Sequence, residues 1–209
     1  LHSAGVMKES VARLERFAEA VRADGYTDVV LLGMGGSSRG ADVFRRSFGT
    51  RPGYLDLYVL DSTDPGAVLG LLERLNLSKT LFIVASKSGT TTETLSFFKF
   101  FYNEVLAVVD EGTVGAHFVA VTDPGSQLEQ TARRFNFRDA FLNDPKIGGR
   151  YSALSFFGLV PAALIGVDMD RLLDSALSIA SGCESCVITG ENPGARLGAA
   201  LGELAKRGR

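Results

Sequence analysis

The run Thr80-Leu81-Phe82-Ile83-Val84-Ala85 passes directly into Ser86-Lys87-Ser88-Gly89-Thr90-Thr91-Thr92-Glu93-Thr94, and how this join is read decides the fold. An uninterrupted apolar run marks a strand buried on both faces, as in a parallel sheet. Thr90-x-x-Glu93 has the spacing of a capping box and predicts a helix from the next residues. The hydroxyl-rich cluster is therefore a strand-to-helix turn. Hydroxyls, free backbone N–H groups and an ammonium all donate to oxyanions, and the positive end of a helix dipole adds attraction for a phosphate charge of about −2. Ser and Thr also crowd turns because they cap helices, but one cap needs only one or two of them. Ser86, Ser88, Thr90, Thr91, Thr92 and Thr94 fall within nine positions, which favours anion binding.

On either side the same alternation repeats. Met7, Val11, Leu14, Phe17 and Val21 recur at helical spacing and predict one helix ending near Gly25. A strand Asp28 to Leu32 leads through a Gly-rich turn to a helix near Gly40 to Phe48. A strand Leu55 to Leu60 leads to a helix opening at Asp64-Pro65, and the strand Thr80 to Ala85 to a helix reaching about Val109. A strand Ala116 to Val121 leads through Asp123-Pro124-Gly125-Ser126 to a helix ending near Phe135, and a short strand Ala140 to Leu142 closes the series. Thr63-Asp64-Pro65-Gly66 and Thr122-Asp123-Pro124-Gly125 both read as helix starts with an Asp cap. Right-handed crossovers then give an α/β, doubly wound, five-stranded parallel sheet of order 2-1-3-4-5, with helices on both faces and further helices at each terminus.

The expected organisation is an N-terminal helix over 1–25, a sheet domain over 26–167 and C-terminal helices over 168–209. Ala153 to Val167 reads as a buried helix, because Ser155 and Pro161 interrupt it and it falls short of the ~18 to 20 residues that span a bilayer. With no export signal in view, the expectation is a cytoplasmic protein that meets no membrane. A formal net charge of −2 offers no long-range attraction to nucleic acid, so an anion must be held by local geometry. Cys183-Glu184-Ser185-Cys186 follows a helical pattern and reads as inert, and with only His2 and His117 as imidazoles no metal site is expected.

Gly33-Met34-Gly35-Gly36-Ser37-Ser38-Arg39-Gly40 ends the first strand, and its glycines allow close backbone approach to a ligand. In an order 2-1-3-4-5 the first and third strands are neighbours whose helices leave to opposite faces, which makes the crevice between their carboxyl ends the ligand site. A P-loop is excluded, since Gly40 is followed by Ala41. Gly33-x-Gly35 with Asp61 at the end of the next strand keeps an NAD-binding Rossmann reading open, although Ser38 stands where its third glycine would be. Gly148-Gly149-Arg150-Tyr151-Ser152 follows the fifth strand on the same edge and presents a guanidinium suited to oxyanions.

These three motifs together resemble the phosphoglucose isomerase family, specifically the first of its two sugar isomerase (SIS) domains. The likeness runs from about Asp28 to Val167, and the middle motif alone would indicate only some SIS domain. The stretch also resembles the isomerase half of bacterial transaldolase/phosphoglucose isomerase fusions. The resemblance implies that Ser86, Lys87, Ser88 and Thr91 hold a sugar phosphate, helped by Ser37 and the backbone at Gly36. Arg150 matches the family arginine that stabilises the enediolate between glucose 6-phosphate and fructose 6-phosphate. No cofactor is implied, and the partners are a second SIS domain of the same polypeptide and a second copy in a homodimer. Arg39 departs from the family, which usually has an apolar residue there.

Family members also use a glutamate base, a histidine and a lysine from their later half, and no motif here matches these. Glu93 faces the crevice, but its capping-box role accounts for it. The expectation is thus half an enzyme that lacks its catalytic base. A lone SIS domain serving as a non-catalytic sugar-phosphate sensor is the alternative, and it would not need Arg150. An amino-sugar synthase domain would lack the Gly-Gly-Arg-Tyr-Ser element.

Overall fold

Five short runs rich in Val, Leu, Ile and Phe form β1 (Asp28–Gly33), β2 (Asp56–Leu60), β3 (Thr80–Ala85), β4 (Phe118–Thr122) and β5 (Asp139–Leu142). All pair in parallel in the order β2-β1-β3-β4-β5, as the sequence predicts. The computed structural model describes residues 3–184 and 190–209; His2, Ser185 and Cys186 lie outside the described residues. Around the sheet are α1 (Ser3–Lys8), α2 (Val11–Ala23), α3 (Gly36–Phe48), α4 (Pro65–Leu72) and α5 (Thr92–Leu106). Then follow α6 (Gln127–Arg134), α7 (Phe156–Leu164), α8 (Met169–Gly182) and α9 (Pro193–Lys206). Turns of 3₁₀ helix occupy Leu77–Lys79, Glu111–His117 and Gly149–Leu154.

Alternate residues of each strand point to opposite faces, so the sheet separates two apolar layers. Val29, Leu31, Leu81, Ile83, Val119 and Val121 meet α2, α3 and α7 on one side. Val30, Leu32, Phe82, Val84, Phe118 and Ala120 meet α5 and α6 on the other, where Phe82 stacks on Phe118 at 5.2 Å between centroids. Every residue of β3 and of α7 is buried. Because α3 leaves β1 to the first layer and α5 leaves β3 to the second, the neighbouring strands β1 and β3 flank the switch point.

Several local expectations are corrected. The first helix is two, since Glu9 N–H and Ser10 N–H donate back to Val6 and Met7 carbonyls and close α1 before α2 begins. The helix after β1 starts at Gly36 rather than Gly40, so the Gly-Ser segment forms its first turn. The capping box at Thr90 does not form: Thr91 is the N-cap of α5 and makes no side-chain capping bond. Asp64 caps α4 through Ala67 N–H as expected, whereas Ser126, not Asp123, caps α6 through Glu129 N–H. β4 begins at Phe118 because Ala116 and His117 belong to the preceding 3₁₀ turn. Leu197, Leu201 and Leu204 lie on one face of α9, and all three are exposed.

His117 lies at the amino edge of the sheet, 6% exposed, with Nδ1–H donating to the Thr80 carbonyl at 3.0 Å and its ring edge-on to Tyr26. Burial pushes its pKa below the ordinary value, Arg138 adds to this, and the Thr80 bond opposes it. The unfolded chain then binds the proton more readily, so stability is complete above about pH 6.5 and falls as the pH drops through the unfolded pKa. Urea unfolding at pH 7.5 and 5.5 should show a lower midpoint at the acid value, and His117→Gln, which keeps an N–H donor but does not titrate, should remove part of that difference.

Candidate functional site

The carboxyl ends of β1 and β3 lie side by side, with Gly33 opposite Ala85. Their turns therefore leave the sheet together. In the second turn Ser86 is 1% exposed; its Oγ accepts from Gly89 N–H at 3.1 Å and lies 2.9 Å from Thr91 Oγ1. Ser88 Oγ accepts from Thr90 N–H at 3.2 Å and from Thr90 Oγ1 at 3.0 Å. Gly89 has φ +71°, and a Cβ there would lie 2.6 Å from Leu128 N, so only glycine lets the turn lie flat on the start of α6. Since Thr91 directs its hydroxyl to Ser86, no side chain caps the first turn of α5. The first turn of α3 has no side-chain cap either, with Gly35 at φ 57° before it. Two helix amino termini without side-chain caps thus lie at the adjoining strand ends, a placement that attracts anions, although in α3 the Ser37 and Ser38 N–H groups already donate to Met34 O and Gly35 O at 3.2 Å. Thr94, one of the six clustered hydroxyl residues, is buried in the helix and takes no part.

The turn after β1 is closed from the other side by the loop after β5. A Cβ on Gly36 would lie 2.5 Å from Gly149 C and 2.6 Å from Gly149 O, so the two backbones are in contact. Ser152 Oγ lies 3.2 Å from Gly36 O and 2.7 Å from Gly149 O and joins the two turns. This contact brings the loop that carries Arg150 to the turn that carries Ser37, at the mouth of the crevice. Arg150 is exposed and makes no ion pair among the described residues. Of the expected phosphate ligands, Gly36, Ser37, Ser86, Lys87, Ser88 and Thr91 all lie on these adjoining turns. Ser37 N–H, however, already donates to Met34 O at 3.2 Å.

Lys87 has partners that its sequence context does not reveal. Its Nζ pairs with Asp123 and donates to Pro145 O at 2.8 Å, so its charge is met by a carboxylate and its side chain ties together the turns after β3, β4 and β5. Asp123 has the sequence context of a cap; its partner lies thirty-six positions away, which spacing cannot reveal. Sequence reasoning also missed Thr122, Ser126 and Asn143, three buried polar residues behind the hydroxyl turn. A run of polar residues at the end of one strand and the start of the next turn was the available signal. Asn143 Oδ1 accepts from Phe156 N–H at 3.0 Å and so closes the base of the loop that carries Arg150. A cleft of 520 Å³ opens beside that loop, lined among others by Met7, Leu142, Lys146, Tyr151 and Phe156, and is separate from the switch-point crevice. Among the described residues no cluster of His, Cys, Asp or Glu could hold a metal ion, and no helix is long and apolar enough to cross a membrane. Cys183 caps the C-terminus of α8 as a free thiol.

A doubly wound α/β domain with a hydroxyl-rich and a glycine-rich turn side by side at its switch point is the class that fold and site define, and comparison with known proteins makes it specific. The profile of the family described as phosphoglucose isomerase matches residues 3–192, and the chain belongs to that family. A glucose-6-phosphate isomerase of Citrifermentans bemidjiense is 37% identical over 203 residues, covering 90% of this chain and 37% of the relative. A hypothetical protein of Thermus thermophilus superposes with a TM-score of 0.83 at 31% identity, over 96% of this chain and 47% of that one. A glucose-6-phosphate isomerase of Chlamydia trachomatis does so at 0.74 and 29% identity, over 84% and 34%. The chain therefore spans about a third of the length of the curated relatives it matches.

The Gly36 contact carries a direct test. Gly36→Ala places a methyl against backbone that cannot rotate away, so it should destabilise by about 1 to 3 kcal/mol, the cost typical of overpacking. Gly70→Ala, in α4 with nothing within 4 Å, should instead stabilise, since Ala exceeds Gly in helix propensity by about 0.8 to 1 kcal/mol. Denaturant midpoints of the two variants should move in opposite directions.

Proposed function

We propose that this chain forms the phosphate-binding part of a glucose-6-phosphate isomerase, with Ser86, Ser88, Thr91, Ser37 and the Gly36 backbone around the sugar phosphate. One observation supports the reading: in a chain of this family, the hydroxyl turn after β3 and the glycine turn after β1 leave adjacent strand ends, and each runs into a helix without a side-chain cap. Lys87 contributes charge while tethered to Asp123, so most phosphate contacts come from neutral donors. Arg150, at the edge of the same crevice, stabilises the enediolate that forms when a proton moves between C1 and C2. Moving that proton requires a positioned base. Glu93 is the acidic residue in the first turn of α5. The base and the ring-opening groups come from a second SIS domain, towards which α8 and α9 lead, and the complete enzyme is a homodimer.

Calorimetry with fructose 6-phosphate should show binding to the chain, and Ser86→Ala/Thr91→Ala should weaken it, each lost bond to a charged group costing about 1.5 to 3 kcal/mol. Unchanged affinity would remove the assignment. Binding should also weaken as the pH falls through the second phosphate pKa of about 6, because the dianion is the better acceptor. A flat profile from pH 7.5 to 5 would mean that the site does not grip the phosphate.

Remote phosphate binding speeds a reaction only when it positions the reacting carbons against groups that act in the transition state. The chain by itself should turn substrate over negligibly in a coupled assay. In the complete enzyme Arg150→Ala should lower kcat by about 10² to 10³, the loss typical of removing one oxyanion donor, with a smaller effect on KM.

A further inference from the structure

Thr122, the last residue of β4, is fully buried and touches no part of the crevice surface. Its Oγ1 lies 2.7 Å from Ser86 O and 2.7 Å from Ser126 Oγ. A carbonyl can only accept, so the single hydroxyl proton of Thr122 goes to Ser86 O. Ser126 must then donate to Thr122, while its own oxygen accepts from Glu129 N–H at 3.1 Å. The result is a directed chain from the first turn of α6 through Ser126 and Thr122 to the backbone of the hydroxyl turn. The Ser86 N–H is held from the same strand, donating to Val121 O at 3.1 Å. Ser86 thus has both of its backbone polar groups fixed to the end of β4, and its side chain sits 2.9 Å from Thr91 as a consequence.

We propose that Thr122 is a positioning residue of the phosphate site, acting through the Ser86 carbonyl to hold the Ser86 and Thr91 hydroxyls in binding register. This rests on the assignment of that turn as the phosphate site. Without the Thr122 hydroxyl, Ser86 C=O and Ser126 O–H are both left unpaired in a buried place, where an unmade bond is costly. The turn relieves this by moving outward to water, and a ligand must then draw it back before it can bind. The penalty falls on affinity, as for any loss of preorganisation.

The test measures fructose 6-phosphate affinity by calorimetry for the parent chain, Thr122→Val, which keeps the shape but not the hydroxyl, and Thr122→Ser, which keeps the hydroxyl. Thr122→Val should bind about tenfold more weakly, and Thr122→Ser within about threefold of the parent, as expected for one buried hydrogen bond lost or kept. In the Ser86→Ala/Thr91→Ala background the effect of Thr122→Val should shrink to near nothing, because both hydroxyls it aligns are gone; a general loss of structure would persist there. Should Thr122→Val fail to unfold cooperatively, Ser126→Ala, which removes the donor to Thr122, takes its place in the same cycle. Equal affinity of Thr122→Val and parent, equal weakness of Thr122→Ser and Thr122→Val, or an effect undiminished once the Ser86 and Thr91 hydroxyls are both removed would overturn the proposal. A parent chain that binds no fructose 6-phosphate would instead overturn the reading of the site itself.

Discussion

The backbones at Gly36 and Gly149 touch, and the rest of the carboxyl edge is arranged around that contact. The seam continues along α3, where a Cβ on Gly40 would lie 3.2 Å from Ala153 Cα, and a Cβ on Gly158 would collide with Ala153 O. Residues without side chains thus let α3, the 3₁₀ turn Gly149–Leu154 and α7 approach backbone to backbone. Close approach of this kind is available only to glycine, which accounts for its use here despite the entropy it loses on folding. The consequence is functional, because this seam is what brings the loop after β5 to the crevice between β1 and β3. Arg150 arrives there as the neighbour of Gly149.

A chain with a formal charge of −2 has no field with which to draw in an anion. On the proposed reading attraction is local instead, and it is built mostly from neutral donors. Lys87, the one cation within the hydroxyl turn, is held by Asp123, so the pair presents a dipole rather than a free charge. Its structural effect is to pin the turns after β3, β4 and β5 to one another. Hydroxyls that bond each other, as Ser86 does Thr91 and Ser88 does Thr90, lose little freedom when a ligand arrives. Rigidity of this sort is what lets weak donors act as a binding site.

The fold was legible in the sequence to the extent that burial sets the pattern. β3 falls where its apolar run lies, and the strand order follows from crossover handedness and alternation. The errors at the carboxyl edge share one cause, which is that local chemistry was given a local explanation. Asp64 and Asp123 stand in the same Thr-Asp-Pro-Gly context, yet the first caps a helix and the second pairs with a lysine on the neighbouring turn. Thr90 and Glu93 have capping-box spacing, but Thr91 becomes the N-cap and gives its hydroxyl to Ser86. For the site, the residues at the crevice were readable from composition, whereas those behind it were not. Thr122 and Asn143 are single polar residues at strand ends, and their importance lies in partners that only the folded chain supplies.

Arg150 differs from Ser86, Thr91 and Lys87 in being exposed and without a charged partner among the described residues. Ser86 and Thr91 satisfy one another before a ligand arrives; the guanidinium does not. On the proposed reading the two states correspond to two tasks. Groups that grip the phosphate should be fixed in advance, since they meet the same charge in substrate, transition state and product and so give uniform binding. A group that acts on the enediolate should find its full partner only when charge develops there, because an interaction already satisfied in the ground state lowers no barrier. A solvated arginine at the rim meets the second requirement only if water is excluded once substrate is in place, since in open solvent its interaction with the enediolate would be screened. The crevice floor built by β1, β3 and their turns offers no such cover above Arg150. On the proposed reading that cover comes from outside these elements, from the second domain to which the base is also assigned.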